Sequence, residues 1–270
     1  MILRDELESF LRQIYKYEDY EDYCENGLVV EGSSEINSIA FGVSFNGLFI
    51  DEAIGLGSDA VIVHHGIFDK GNFVLKGIKK ERIKKVINNE ISLFGIHLPM
   101  DAHPEIGHNA LLLDAIGAKI TGPLKWGFFG ENSSRKNINE MMKIFNRYLD
   151  PQLEDKGPYT FKQFDSSGEV ESEGNHRFEV LKNGPDIPVR IFIASGGSTD
   201  LYEEAVKLGA DTFICGEIKE HIPAISHETK TNFINLGHYY SEKPGILALK
   251  SRIEEKFDVN CTFIEVPNMI

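Results

Sequence analysis

One pattern occurs twice in this chain and limits what it can fold into. Asp51 to Val63 and Glu203 to Cys215 share Glu-Ala, an apolar residue, any residue, Leu-Gly-x-Asp, and an Ile three positions after the Asp. The physical content is a helix end, a stop and a buried strand. Gly57 and Gly209 tolerate the left-handed conformation that closes a helix. The apolar runs that follow lack polar alternation, as strands covered on both faces do. An apolar strand precedes each copy, at Ile39–Val43 and Val189–Ala194, and another follows, at Ser92–Leu98 and Asn232–Leu236. Each half therefore reads strand–helix–strand–helix–strand, which implies mainly parallel strands with right-handed crossovers. The expected class is α/β, as duplicated three-layer units with mixed, mainly parallel sheets.

The stretch from Thr121 to Pro188 reads differently. Asn132-Ser133-Ser134 leads into a capped helix over Asn137–Leu149. Pro151 and Gly157-Pro158 break the chain, and patchy alternation from Phe161 to Glu173 suggests antiparallel strands. These features divide the sequence into a first half (1–125), a connecting segment (126–188) and a second half (189–270). Further helices are expected at Lys79–Asn89, Asn109–Ile116 and Gly245–Phe257. Leu3, Leu7, Phe10, Leu11 and Ile14 mark an amphipathic helix near the start.

Composition is that of an ordinary globular protein, with 41% hydrophobic and 26% charged residues. A formal charge of -14 opposes binding to bare nucleic acid, which needs a basic footprint. A basic strip, Lys76, Lys79, Lys80, Arg82, Lys84 and Lys85, reads first as a solvated helix face. Cys24, Cys215 and Cys261 form neither a disulfide framework nor a Cys-x-x-Cys site, so a reducing cytoplasm is the expected compartment. The N-terminal residues lack the pattern of a signal peptide, and no apolar run reaches membrane-spanning length, so no membrane association is expected.

Three strand-like runs end in metal-ligand side chains, and ligands of open α/β sheets bind beyond the carboxyl ends of strands. The first run ends in His64-His65-Gly66; taken alone, these are two ligands, or one buried and one surface imidazole. The second leads to His97 and Asp101, with His103 and His108 nearby; Asp101 alone reads equally as a turn or cap residue. The third leads to His238 and Glu242, four apart and so on one face of a helical turn, or simply a solvated helix start. Together, three imidazoles and two carboxylates suit Zn, Mn, Fe, Co or Ni better than Ca or Mg. Five such ligands suffice for a pair of ions, because carboxylates bridge. Ser195-Gly196-Gly197 reads as a tight turn or an anion cradle, without the Lys of a P-loop. Glu217 and His221 occupy the place in the second half that His64-His65 occupy in the first, as candidate supporting residues or proton carriers.

Taken in order, these motifs resemble those of the NIF-three-like (NGG-interacting-factor-three-like) family, whose bacterial members carry the name type 2 GTP cyclohydrolase I. The resemblance runs from Gly27-Leu28-Val29-Val30 to the C-terminal helix. It is strongest at Val61–His65, His97–Asp101, Ser195–Gly197, Gly216–His221 and Gly237–Pro244. It implies a NIF-three-like fold, a ring-shaped homohexamer and two metal ions per chain on His64, His65, Asp101, His238 and Glu242, with His97 beside them. The chain departs from the family at Gly66, where Pro is common, at Ser44, near where Asp is frequent, and at Glu217, where Asp is commoner. The expected function is metal-dependent hydrolysis of a small nucleotide-like or phosphorylated substrate, with His97, His221 or Glu217 moving protons. GTP ring opening is the version that the resemblance alone implies. The rival expectation is a non-catalytic metal-delivery or regulatory scaffold.

Overall fold

The structure is a computed structural model that describes residues 1–71, 74–150, 162–164, 170–171 and 178–268. The chain forms two compact units, one of Met1–Ile106 with Gly245–Pro267, the other built on Gly107–Pro244. This division differs from the segments 1–125, 126–188 and 189–270. The connecting segment supplies strands to the second unit's sheet, and the C-terminal residues return to the first.

The first unit holds a five-stranded sheet in the order Asn260–Phe263, Ser38–Ser44, Ala60–His65, Ser92–Gly95, Gly27–Val30. The first four strands are parallel and the last is antiparallel to its neighbour. Period-two alternation places Ile39, Phe41, Ile62 and Phe94 on one face. There they pack on Leu7, Leu11 and Tyr15 of the helix Arg4–Tyr15, and on Ile246, Leu249 and Ile253 of the helix Lys243–Lys256. Ala40, Val61, Val63 and Leu93 face the other way, against Phe49, Ile50 and Ala53 of Gly47–Gly55 and Ile83 and Val86 of Gly77–Asn88. Helices on both faces make three layers, and an apolar run without alternation is what such a strand requires.

In the second unit eight strands run in the order Val170–Glu171, Lys162–Phe164, Glu179–Leu181, Asn232–Asn235, Thr212–Cys215, Arg190–Ile193, Gly127–Glu131, Lys119–Leu124. The three strands of the repeat lie side by side and parallel, while both flanks include antiparallel pairs. On one face Phe192, Phe213 and Phe233 pack with Leu201, Tyr202 and Ala205. The helix His108–Ala115 contacts the sheet at Gly130, where a Cβ would come within 2.4 Å of Leu113 Cδ2. The expected capped helix is Ile138–Leu149, closed by a reciprocal capping box between Asn137 and Glu140. The predicted breaks at Pro151 and Gly157-Pro158 lie outside the described residues. Among the described residues no helix is long and apolar enough to cross a membrane.

The repeat is repeated hydrogen bond by hydrogen bond. Asp59 Oδ2 accepts from the amides of Asn37 (2.7 Å) and Ser38 (3.0 Å), and Asp211 Oδ2 from those of Val189 (2.7 Å) and Arg190 (3.1 Å). The Asp59 amide donates to Ser38 O and its carbonyl accepts from Ser92 N; Asp211 does the same with Arg190 O and Asn232 N. Gly57 and Gly209 take positive φ, +66° and +92°, at the helix ends. One difference from expectation is the third strand of the first unit, which stops at Gly95 rather than continuing to Leu98. His97 leaves the strand region (φ -99°, ψ -114°), and Pro99 favours the first turn of the short helix Leu98–Asp101.

Because the two aspartates do the same work, their loss has the same effect. Asp59→Ala and Asp211→Ala each leave two backbone amides without their charged acceptor, a loss of roughly 1–3 kcal/mol in urea unfolding. Asn at either position retains a carbonyl acceptor and loses less than half as much. Unequal losses, with one variant neutral, would contradict the structural equivalence of the two copies.

Candidate metal centres

In the first unit the donors gather at the carboxyl ends of two neighbouring parallel strands. The strand Ala60–His65 runs through both of its histidines, yet their rings sit 4.6 Å apart between centroids, tilted by 55°. His97, from the turn after the next strand, lies 5.1 Å from the His64 ring and 5.8 Å from that of His65. One nitrogen from each of the three imidazoles can lie within 4.8 Å of the others, a grouping able to hold a metal ion. Asp101, on the short helix after His97, is buried and brings Oδ2 to 3.6 Å from His64 Nε2.

In each ring Nδ1 is held by the protein. His64 Nδ1 meets the carbonyl of Ile96 at 2.9 Å, so this nitrogen is the donor and Nε2 is the one turned to Asp101. His65 Nδ1 lies 2.9 Å from Ser44 Oγ. His97 Nδ1 lies 2.9 Å from Asp22 Oδ1. Asp22 is itself buried. Its Oδ2 accepts from Leu98 N and from Asn26 Nδ2, both at 2.9 Å, while Asn26 Oδ1 accepts from the His97 amide at 2.7 Å. Burial opposes a charge on His97, but hydrogen bonds to Asp22 and Cys24 and the charges of Asp101 and Asp22 outweigh it and raise its pKa to about 10. The Asp22 carboxyl, despite burial, is drawn down to about 2, chiefly by His97.

The second unit carries the other set. The one-turn helix His238–Ser241 and its cap, Glu242, place His238 Nε2 3.2 Å from Glu242 Oε2. Glu217 Oε1 holds His238 Nδ1 at 2.6 Å. Burial works against protonation of His238, but Glu242 and then Glu217 overcome it and raise its pKa to about 9. Two glycines make this packing possible. A Cβ on Gly196, whose φ is +61°, would stand 2.0 Å from Glu242 Oε1; one on Gly216 would stand 2.7 Å from His238 Cα. The Gly-rich turn does not offer its first two amides to an anion. Ser195 N donates to Asn109 Oδ1 at 2.7 Å and Gly196 N to Ser241 Oγ at 3.0 Å.

Not every candidate residue joins these sets. His221 lies exposed at the head of the helix Ile222–Thr229 and belongs to none of the donor groups found among the described residues. His103 serves its own loop, Nδ1 accepting from the amides of Glu105 (3.2 Å) and Ile106 (3.1 Å). Asp22, Asn26 and Asn109 are not marked by any motif in the sequence, and Ser44 stands out there only as a departure from the family, not as the partner of His65. Asp22 and His97 are 75 positions apart, and no spacing rule joins them. The only local signal is the density of Asp, Asn and Glu between Asp19 and Asn26.

The family model described as Duf34/NIF3 (NGG1p interacting factor 3) matches residues 2–269. A protein of Escherichia coli (strain K12) named GTP cyclohydrolase 1 type 2 homolog is 34% identical over 269 residues, spanning 97% of this chain and 98% of that one. A Yersinia pestis protein of the same name is 33% identical over 265 residues, with the same shares covered. Among solved structures, protein ybgI, of unknown function, is 32% identical with a TM-score of 0.84, covering 100% of both chains. TTHA1606 from Thermus thermophilus is 25% identical with the same TM-score and coverage. With a family match from end to end, this chain belongs to the Duf34/NIF3 (NGG1p interacting factor 3) family.

Proposed function

We propose that this chain holds two divalent transition-metal ions, Zn, Mn, Fe, Co or Ni, on His64, His65, Asp101, His238 and Glu242, and uses them to hydrolyse a small nucleotide-like or phosphorylated substrate. One observation carries the metal reading. Nδ1 of His64, His65, His97 and His238 is held in turn by Ile96 O, Ser44 Oγ, Asp22 and Glu217. Metal-binding histidines are held in this way, since a fixed Nδ1 orients Nε2 for coordination and raises its basicity. The donor set contains imidazole and carboxylate but no thiolate, which suits an exchangeable site rather than a closed structural zinc site.

When bound, such ions acidify water and stabilise an oxyanion. The chain's own residues then have distinct tasks. Glu217, about one-third exposed, keeps His238 in position through Oε1 and is the candidate to accept and return a proton. His97, held by Asp22 and Asn26, stays at a fixed distance from the His64 and His65 rings. The names of the relatives support a nucleotide such as GTP as the first substrate class to test. A homohexameric ring is part of the same proposal, to be checked by light scattering.

Metal content per chain, measured by mass spectrometry on protein purified without chelator or affinity tag, tests the proposal. About two transition-metal ions are expected for the wild type, with loss in Asp101→Ala and Glu242→Ala. Gly196→Ala removes no donor but forces Glu242 aside, so it too lowers metal content. A metal-free wild type that takes up none of the five metals would sink the proposal.

Turnover is tested separately. Glu217→Gln keeps an acceptor for His238 Nδ1, so metal stays, while hydrolysis of the nucleotide or phosphoester identified by screening falls by roughly 100-fold or more. Glu217→Ala also weakens metal binding, by roughly 10–100-fold. Full metal content with no turnover of any nucleotide or phosphoester would favour the metal-delivery or regulatory scaffold instead.

A further inference from the structure

We infer that Asp22, Cys24 and His97 form a separate site in the first unit for one thiolate-binding divalent ion, of the Zn(II) type. A carboxylate oxygen, Cys24 Sγ and a His97 nitrogen lie within 4.8 Å of one another. Two of the donors already meet the third: Asp22 Oδ1 lies 2.9 Å from His97 Nδ1, and Cys24 is hydrogen-bonded to the same imidazole. One sulfur, one nitrogen and one oxygen are the ligand types that zinc takes in tetrahedral sites, with a fourth position left for water.

The loop that presents Asp22 and Cys24 is fixed before any ion arrives. Glu25 N donates to Phe68 O at 3.0 Å and Lys70 N to Tyr23 O at 2.8 Å, and Cys24 bridges to Asp69. The Cys24 amide donates to Asp22 Oδ1 at 3.0 Å, which turns the two side chains towards each other. Asp22 and His97 are buried, whereas Cys24 is half-buried, so an ion reaches the site from the Cys24 side. Binding replaces two protons, one from the Cys24 thiol and one from His97 Nδ1. The remaining contacts of Asp22, with the amides of Cys24 and Leu98 and with Asn26, stay in place.

The site uses Nδ1 of His97, the nitrogen facing Asp22, and leaves Nε2, which lies 3.4 Å from the Tyr23 hydroxyl. It therefore shares no ligand with the five-residue set proposed above, and it replaces the hydrogen bond between Asp22 and His97 by coordination of both. Neither of the other thiols is a comparable ligand. Cys215 donates to Glu217 O at 2.9 Å and burial pushes its pKa up to about 12, while burial raises that of Cys261 to about 11.

Cobalt(II) titration of the metal-free, full-length protein tests the inference, because a cobalt–thiolate bond gives a near-ultraviolet charge-transfer band that histidine and carboxylate ligands do not. The band is expected in the wild type and in Cys215→Ser, and its loss in Cys24→Ser. The visible ligand-field bands of cobalt on the His and carboxylate set should persist in Cys24→Ser, whose side chain is nearly isosteric. Ligand-field bands without a thiolate band in the wild type would overturn this site and leave the dinuclear proposal standing. A thiolate band that survives Cys24→Ser would overturn it as well. No cobalt absorption at all would overturn both.

Discussion

The register of three parallel strands in each unit hangs on one aspartate. Asp59 joins the start of the first strand through its side chain and amide, and the start of the third through its carbonyl; Asp211 does the same in the other copy. A slip of one residue would turn every side chain to the opposite face. In the first unit it would exchange the residues packed on Phe41 for those packed on Phe49. With the amino ends tied, the carboxyl ends come out level. Ile96 N then donates to Val63 O and Leu236 N to Cys215 O, just before His97 and His238. The donors stand where they do because strand lengths are counted from the aspartates.

Much of this was legible in the sequence, for physical reasons that differ by element. The repeat was visible because helix closure, loop acceptor and buried strand each demand a residue type at a fixed offset. His238 and Glu242 were visible because a helical turn fixes what lies four residues away. The clamps were legible only in part: Glu217 stood out by its place in the repeat, but not its partner. Ser44 reaches His65 from the adjacent strand, and Glu217 reaches His238 from the end of the neighbouring one, so the pairings depend on strand order rather than on spacing. The edges were hidden for the same reason. Asn260–Phe263 joins the first sheet from the far end of the chain, and Gly27–Val30 enters it antiparallel.

The Gly-rich turn shows how one motif supports two physical readings. Glycines after a strand make room for a bound phosphate, and they also make room for the protein's own side chains. Here the amides of Ser195 and Gly196 are bonded to Asn109 and Ser241, and the space above Gly196 belongs to Glu242. The departure at Ser44 resolves in a similar way. A hydroxyl there meets His65 Nδ1 at 2.9 Å and adds no negative charge beside the ring.

Charge balance joins these details. Asp22, Asp101 and Glu242 are all buried, and a buried carboxylate without compensation costs several kcal/mol. Each faces an imidazole: Asp22 meets His97, Asp101 meets His64, and Glu242 meets His238. A neutral imidazole cannot balance them; a proton on the ring or a metal ion beside it can. The raised pKa values of His97 and His238 are the protonic form of that balance. A divalent ion supplies twice the charge to the same pairs, and it needs only that the ring nitrogen facing the carboxylate coordinate it. The Nδ1 contacts of His64 and His238 already prepare both rings for that role, because they keep Nε2 aimed at the carboxylate.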